Sequence, residues 1–204
     1  MAQVLEQIER ASVLVHVRPL FEMNDEQFEE FCRLNRDLRI EMTAEGDLII
    51  LPPTFARTGN RNSAINAQLY IWNGRDNTGA VFDSSTLFVL PNGAKRSPDA
   101  AWVSKSRLAS LTEEQRAKFL PLCPDFVIEL RSSSDSLAEL QEKMREYMNN
   151  GAQLGWLLDP LTHSVYVYRE DGAIEEIKDA ERVEGEPLLA GFVLDLQGIW
   201  EVGF

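Results

Sequence analysis

Two acidic residues stand at the polar ends of two apolar stretches. In "RSPDAAWV" Asp99 follows Pro98 and leads into Ala100, Trp102 and Val103; in "DFVIELR" Glu129 interrupts the end of a continuous apolar run. Such a run suits a strand covered on both faces. In an extended chain the side chains alternate, so Phe126, Ile128 and Leu130 face one way while Val127, Glu129 and Arg131 face the other. A buried carboxylate is costly unless it meets a cation, a hydrogen-bond donor or a polar cleft. Two readings follow. In one, Glu129 pairs with Arg131 and Asp99 is a turn aspartate. In the other, the two strands are neighbours and their acids make an oxygen-rich site suited to Mg²⁺ or Mn²⁺, which needs only a few carboxylates because the ion keeps several waters.

A third chemical group sits on the segment "LAELQEKMREYMNNG". Leu137, Leu140, Met144 and Met148 form an apolar stripe at helical spacing, and Lys143 and Tyr147 lie four apart on an adjoining face. A lysine beside a core stripe either stays solvated or snorkels inward. The preceding serines, Ser132 to Ser136, read as a bend and a cap for this helix. Cys32 and Cys123 have neither a disulfide framework nor zinc-ligand spacing and read as reduced and structural. His16 and His163 are isolated, which argues against a histidine metal site or a Ser-His-Asp triad.

The elements that must position these groups can be read from capping and periodicity. Asn24 with Gln27 predicts a capped helix to about Asp37, and Thr112 with Gln115 predicts a short one. "LRIEMT" and "LIILPP" read as a hairpin turning at Gly46, and "NRNSAINAQLYIWNGR" as a helix capped by Thr58 or Asn60. "AVFDSS", "TLFVL" and "RSPDAAWVS" read as a β-meander, with Asn92-Gly93 as a turn. "LGWLLD" is another buried strand, and "SVYVYRE" with "GAIEEIK" a hairpin around Asp171-Gly172. Strands and helices in this order predict a mixed sheet with helices against it, an α/β layer architecture.

The chain has 204 residues, 44% of them apolar, which suits one domain with a substantial core. It has no run of eighteen apolar residues, and "MAQVLEQIER" lacks the pattern of a signal peptide, so a cytoplasmic, soluble protein is expected. The net charge of -13 argues against nucleic acid at first sight. Its distribution weakens that objection: residues 1–30 carry seven acidic and two basic side chains and residues 169–204 ten and three, while 31–168 carries sixteen and fifteen. The middle of the chain is therefore nearly neutral, although no Lys/Arg-rich run marks a basic channel.

The ordered set "SPD", "FVIELRSSSDS", "EKMREYMNNG" and "LGWLLDP", with "EMTAEGDLIILPP", "TGNRNSAINAQL" and "VFDSS" upstream, resembles the Uma-two family of restriction-endonuclease-like proteins over roughly residues 24–200. "SPD" followed by "IELR" is similar to the wider PD-(D/E)XK nuclease superfamily. The resemblance implies a restriction-endonuclease-like mixed β-sheet flanked by α-helices with an extra C-terminal β-hairpin, in one domain whose core spans about 24–168 between acidic N- and C-terminal extensions. It implies a Mg²⁺- or Mn²⁺-dependent endonuclease acting on DNA, with Asp99 and Glu129 as metal ligands, Glu41 and the Leu130 carbonyl completing the shell, and a homodimeric assembly. The superfamily's lysine position is Arg131, a poor general base that stays protonated and can stabilise phosphate charge; the family pattern then makes Lys143 the leading catalytic substitute, with Arg131 the lesser candidate for the same role and Tyr147 able to contact the same site. The second reading is a catalytically silent nuclease-fold protein that binds or regulates. A third is a metal-dependent hydrolase of small phosphate esters.

Overall fold

The computed structural model describes residues 12–204, so the part of the acidic N-terminal extension before Ser12 lies outside it. In chain order the elements are β1 (Val13–Val15), α1 (Asp25–Leu34), β2 (Arg39–Met42), β3 (Leu48–Leu51), α2 (Ala56–Asp76), β4 (Gly79–Asp83), β5 (Phe88–Val89), β6 (Lys95–Arg96) and β7 (Ala100–Ser104). Then follow α3 (Lys105–Ala109), α4 (Glu113–Arg116), β8 (Phe126–Leu130), α5 (Leu137–Asn149), β9 (Leu154–Asp159), β10 (Ser164–Arg169), β11 (Ile174–Lys178), β12 (Arg182–Glu184), β13 (Val193–Asp195) and α6 (Gln197–Trp200).

The strands form a six-stranded sheet in the order β11-β10-β9-β8-β7-β4, a five-stranded sheet in the order β1-β3-β2-β6-β5, and the pair β12-β13. In the large sheet β8 and β9 are parallel and the remaining pairs antiparallel. α5 is the crossover between β8 and β9, as a parallel pair requires. A mixed six-stranded sheet, helices against it and the β10-β11 hairpin are the α/β architecture expected.

Alternation along β8 divides the core. Phe126, Ile128 and Leu130 pack with Ile65 and Leu69 of α2 and with Trp156 and Phe192. Val127, on the opposite face, packs with Met144 and Tyr147 of α5 and with Leu157. A smaller core forms where Phe28 of α1 meets Ile40, Met42 and Leu48 of the five-stranded sheet. Glu129 therefore emerges on the α5 side of a strand whose five residues are all buried.

Local signals held at the helix starts. Asn24 and Gln27 form a reciprocal capping box, as do Thr112 and Gln115. α1 ends at Leu34, earlier than Asp37, because Asn35 leaves helical geometry and satisfies the last turn with its own side chain. α2 starts at Ala56 rather than near Asn60; Phe55 is its N-cap, and neither Thr58 nor Asn60 caps it. The segment read as a meander is split between two sheets. β4 pairs directly with β7, while β5 and β6 hairpin across Asn92-Gly93 into the five-stranded sheet, where Lys95 pairs with Met42. Two-residue strands carry too little pattern to declare which sheet they join.

Candidate active site

The antiparallel ladder of β7 and β8 pairs Ala100 with Ile128, so continuing the register by one residue sets Asp99 opposite Glu129. The two acids of the sequence reading thus sit at the same end of neighbouring central strands. They line one cleft of about 130 Å³ with Lys143, Leu130, Asn62, Arg39, Ser97, Ser132, Ser134 and Asp135.

Each acid is held differently. Asp99 Oδ2 accepts a 2.9 Å hydrogen bond from the Leu130 amide, and Oδ1 accepts one of 3.0 Å from Asn62 Nδ2. Glu129 Oε1 accepts from the Tyr147 hydroxyl and from Lys143 Nζ, both at 2.9 Å. Lys143 reaches on to Glu41 Oε1 at 3.0 Å, so the lysine of α5 snorkels inward and bridges two buried carboxylates. Glu41 also accepts from the Ser97 amide at 2.9 Å and from Arg96 at 3.2 Å, and Arg96 in turn binds Glu146 at 2.6 Å.

The electrostatics follow from burial and from the shortage of positive charge. Burial pushes Glu129 up to about 7; Lys143 opposes this, and the neighbouring Asp99 and Glu41 charges add to it. Burial likewise raises Asp99, offset in part by the Leu130 amide, Lys143 and Asn62. Burial would also raise Glu41, but Lys143 and Arg96 outweigh it and hold that carboxyl below its ordinary value. For Lys143, burial disfavours the charge, yet Glu129 and Glu41 prevail and raise its pKa, so the ammonium stays protonated. Tyr147 is raised well above the usual phenol range by burial and by Glu129, and it acts as a donor.

Arg131 has another partner. Its guanidinium bonds Asp159 at 2.8 Å and the Asp135 carbonyl at 3.2 Å, and it does not line the cleft. The alternative Glu129–Arg131 pair does not form, because the parallel neighbour β9 brings the fully buried Asp159 to the end of β8, while α5 brings Lys143 to Glu129. Arg96, Asn62 and Asn66 escaped the sequence reading. The asparagines lie four apart inside a helix, where Asn is a poor former, and that misfit is the signal that marks them. Arg96 sits in a strand of two residues that pattern cannot flag.

Among the described residues, no group of three or more His, Cys, Asp and Glu is placed to hold a metal ion. Two carboxylates with a backbone carbonyl are nonetheless a sufficient protein contribution for Mg²⁺, which is commonly bound through one or two carboxylates and retained waters. The charge around the cleft suits a divalent cation: Asp99, Glu129, Glu41, Glu146 and Asp135 outnumber Lys143, Arg96 and Arg39. The hard oxygen donors and the unbalanced charge fit the group.

A mixed sheet flanked by helices, with two acids paired across its central strands, defines a restriction-endonuclease-like α/β protein. The family model described as "Uma2: Putative restriction endonuclease" matches residues 25–197, and the chain belongs to that family. A solved structure described as a "putative nuclease belonging to DUF820", from Anabaena variabilis, is similar in fold: it shares 20% sequence identity with a TM-score of 0.67 over 79% of this chain and 89% of that one. No curated protein matches the chain. Restriction-endonuclease-like families are usually metal-dependent. Among the described residues no helix is long and apolar enough to cross a membrane.

Proposed function

We propose that the protein is a Mg²⁺- or Mn²⁺-dependent endonuclease that hydrolyses DNA phosphodiester bonds at the Asp99–Glu129 cleft. The observation that carries this reading is the meeting of both carboxylates with a protonated lysine in one cleft at the ends of β7 and β8. Asp99, Glu129 and the Leu130 carbonyl would hold the cation. Glu41 is left out of that set because three donors already occupy it. Bound there, the cation supplies Lewis-acid polarisation of the phosphate and a water of lowered pKa.

The chain's own residues do the rest. Lys143, kept charged by Glu129 and Glu41, donates to non-bridging phosphate oxygen and offsets the negative charge that builds up there. It is not a general base, since its proton is held too firmly. Tyr147 fixes Glu129 Oε1, and Arg96 fixes Glu41, so that the lysine between them has one position. Arg131 serves the scaffold by tying the ends of β8 and β9. In the same reading, residues 1–204 form one cytoplasmic domain, its acidic ends extending a core of about 24–168. It works as a homodimer, the assembly that soluble oligomers favour.

The test is cleavage of single-stranded, duplex and branched DNA with Mg²⁺ or Mn²⁺ by the parent and by Asp99→Ala and Glu129→Ala variants. Cleavage by the parent that is lost in both variants is expected. Variants that cut as well as the parent would sink the assignment. Cation binding without cleavage in the parent would move the reading to a silent binding or regulatory protein.

A further inference from the structure

Asp99 is gripped from α2 by two asparagines one turn apart. Asn62 Nδ2 donates to the Asp99 carboxylate at 3.0 Å, and Asn66 Nδ2 donates to the Asp99 main-chain carbonyl, also at 3.0 Å. Asn66 Nδ2 also reaches the Asn62 carbonyl at 3.0 Å, which links the two turns. These acceptors fix the orientation of both amides, since a flipped amide would set oxygen against oxygen. The same orientation leaves Asn62 Oδ1 and Asn66 Oδ1 buried without a hydrogen-bond partner among the described residues. A buried acceptor left unpaired costs about 1–3 kcal/mol. Both residues also lie in a helix interior, where Asn is disfavoured. For packing alone, leucine at either place would serve better.

We propose that Asn62 and Asn66 are positioning residues for Asp99, retained at a cost in stability to hold its side chain and backbone in one conformation facing the cleft. The proposal rests on the reading of Asp99 as a cation-binding carboxylate. Asn62 and the Leu130 amide take one carboxylate oxygen each, so the side chain is held from both sides. Asn66 holds the peptide from which that side chain springs, immediately before β7 begins. Removing the Asn62 amide leaves the carboxylate free to turn about its bond to the backbone.

The discriminating variant is Asn62→Leu in the full chain, which keeps the branched shape of the side chain, removes the donor and also removes the orphaned oxygen. Three quantities decide: the Asp99 conformation in metal-free crystals, the Mn²⁺ dissociation constant by calorimetry, and the Tm. Expected are an Asp99 carboxylate turned from the Leu130 amide or split between conformers, Mn²⁺ binding weakened about 10- to 100-fold, and a Tm no lower than the parent's. An Asp99 side chain left in its single conformer overturns the proposal, and a lowered Tm with that result assigns Asn62 a packing role. A displaced Asp99 upholds the positioning, and if the Mn²⁺ affinity is then unchanged, or the parent binds no Mn²⁺, it is the cation-ligand role of Asp99 that is sunk. Should the leucine variant not fold, Asn62→Ala is judged by the same Asp99 conformation.

Discussion

Glu129 is the residue at which burial and chemistry pull hardest against each other. It is buried to 4% exposure, yet the cation-binding role proposed for it requires it to be ionised. Its carboxyl, pushed up to about 7 from an ordinary 4.5, takes up a proton on folding at mildly acidic pH. Between those values the native state binds more protons than the unfolded chain, so this residue's contribution to stability falls as pH rises. Above about 7 both states are ionised and the contribution levels off at its least favourable. Asp99 is shifted in the same direction, and Glu41 in the opposite one. The metal-free protein should therefore lose part of its urea midpoint as pH rises through the window from 4.5 to about 7. Glu129→Gln should flatten that part of the profile. A parallel profile in the variant would show that Glu129 does not titrate there. Proton and cation compete for the same oxygens, so Mn²⁺ affinity in the parent should climb with pH across the same window.

At the scale of elements, β7 carries Asp99 just before its start, and its packing on β4 is tightest at the other end, where Gly79 pairs with Ser104. Gly79 of β4 lies against Trp102 of β7. A Cβ there would fall 2.3 Å from the indole ring and 2.5 Å from the Val103 carbonyl. The indole has little room to retreat: its Nε1 bonds Asn73 of α2 at 3.0 Å, and its ring packs against Trp72. Gly79→Ala should thus destabilise by about 1–3 kcal/mol, the usual cost of overpacking a filled core. The check is the urea midpoint at unchanged m value; a loss within error of zero would mean the strands can separate freely.

The same elements show which parts of the site sequence pattern can reach. The capping boxes of α1 and α4 were legible because they are contained within four residues. The facing of Asp99 and Glu129 was legible because two apolar strands ending in acids need only be neighbours. The partners were not: whether Glu129 meets Arg131 or Lys143 depends on how α5 packs on the sheet, a tertiary fact that alternation along one strand does not contain. Three aromatics that could have formed an exposed surface are packed instead. Phe88 and Trp200 are buried, and Trp72 packs between Trp102 and Phe192.

For the whole molecule, the nuclease reading must reconcile a charge of -13 with a polyanionic substrate. The cations that line the cleft are Arg39 and Lys143, with Asp99, Glu129 and Asp135 beside them. Lys143 is already paired with two carboxylates, and Arg39 is bonded to the Ser84 carbonyl at 2.9 Å. Duplex DNA binds through released counterions, and log K falls with log salt by about 0.9 for each phosphate neutralised. With two cations at most available in the cleft, the slope should be no steeper than about -2. Opposing it, long-range repulsion between the acidic chain and DNA is relieved as salt shortens the screening length from ~30 Å at 0.01 M to ~8 Å at 0.15 M. Under the nuclease reading, DNA affinity should therefore be weak at low salt and nearly flat as salt rises, and should respond chiefly to the divalent cation, which brings positive charge to the cleft itself. Fluorescence anisotropy of labelled DNA on the parent protein, with Ca²⁺ in place of Mg²⁺ and varied independently of NaCl, measures both dependences. A NaCl slope near that of a protein with six or more phosphate contacts would place the DNA on a basic surface other than this cleft.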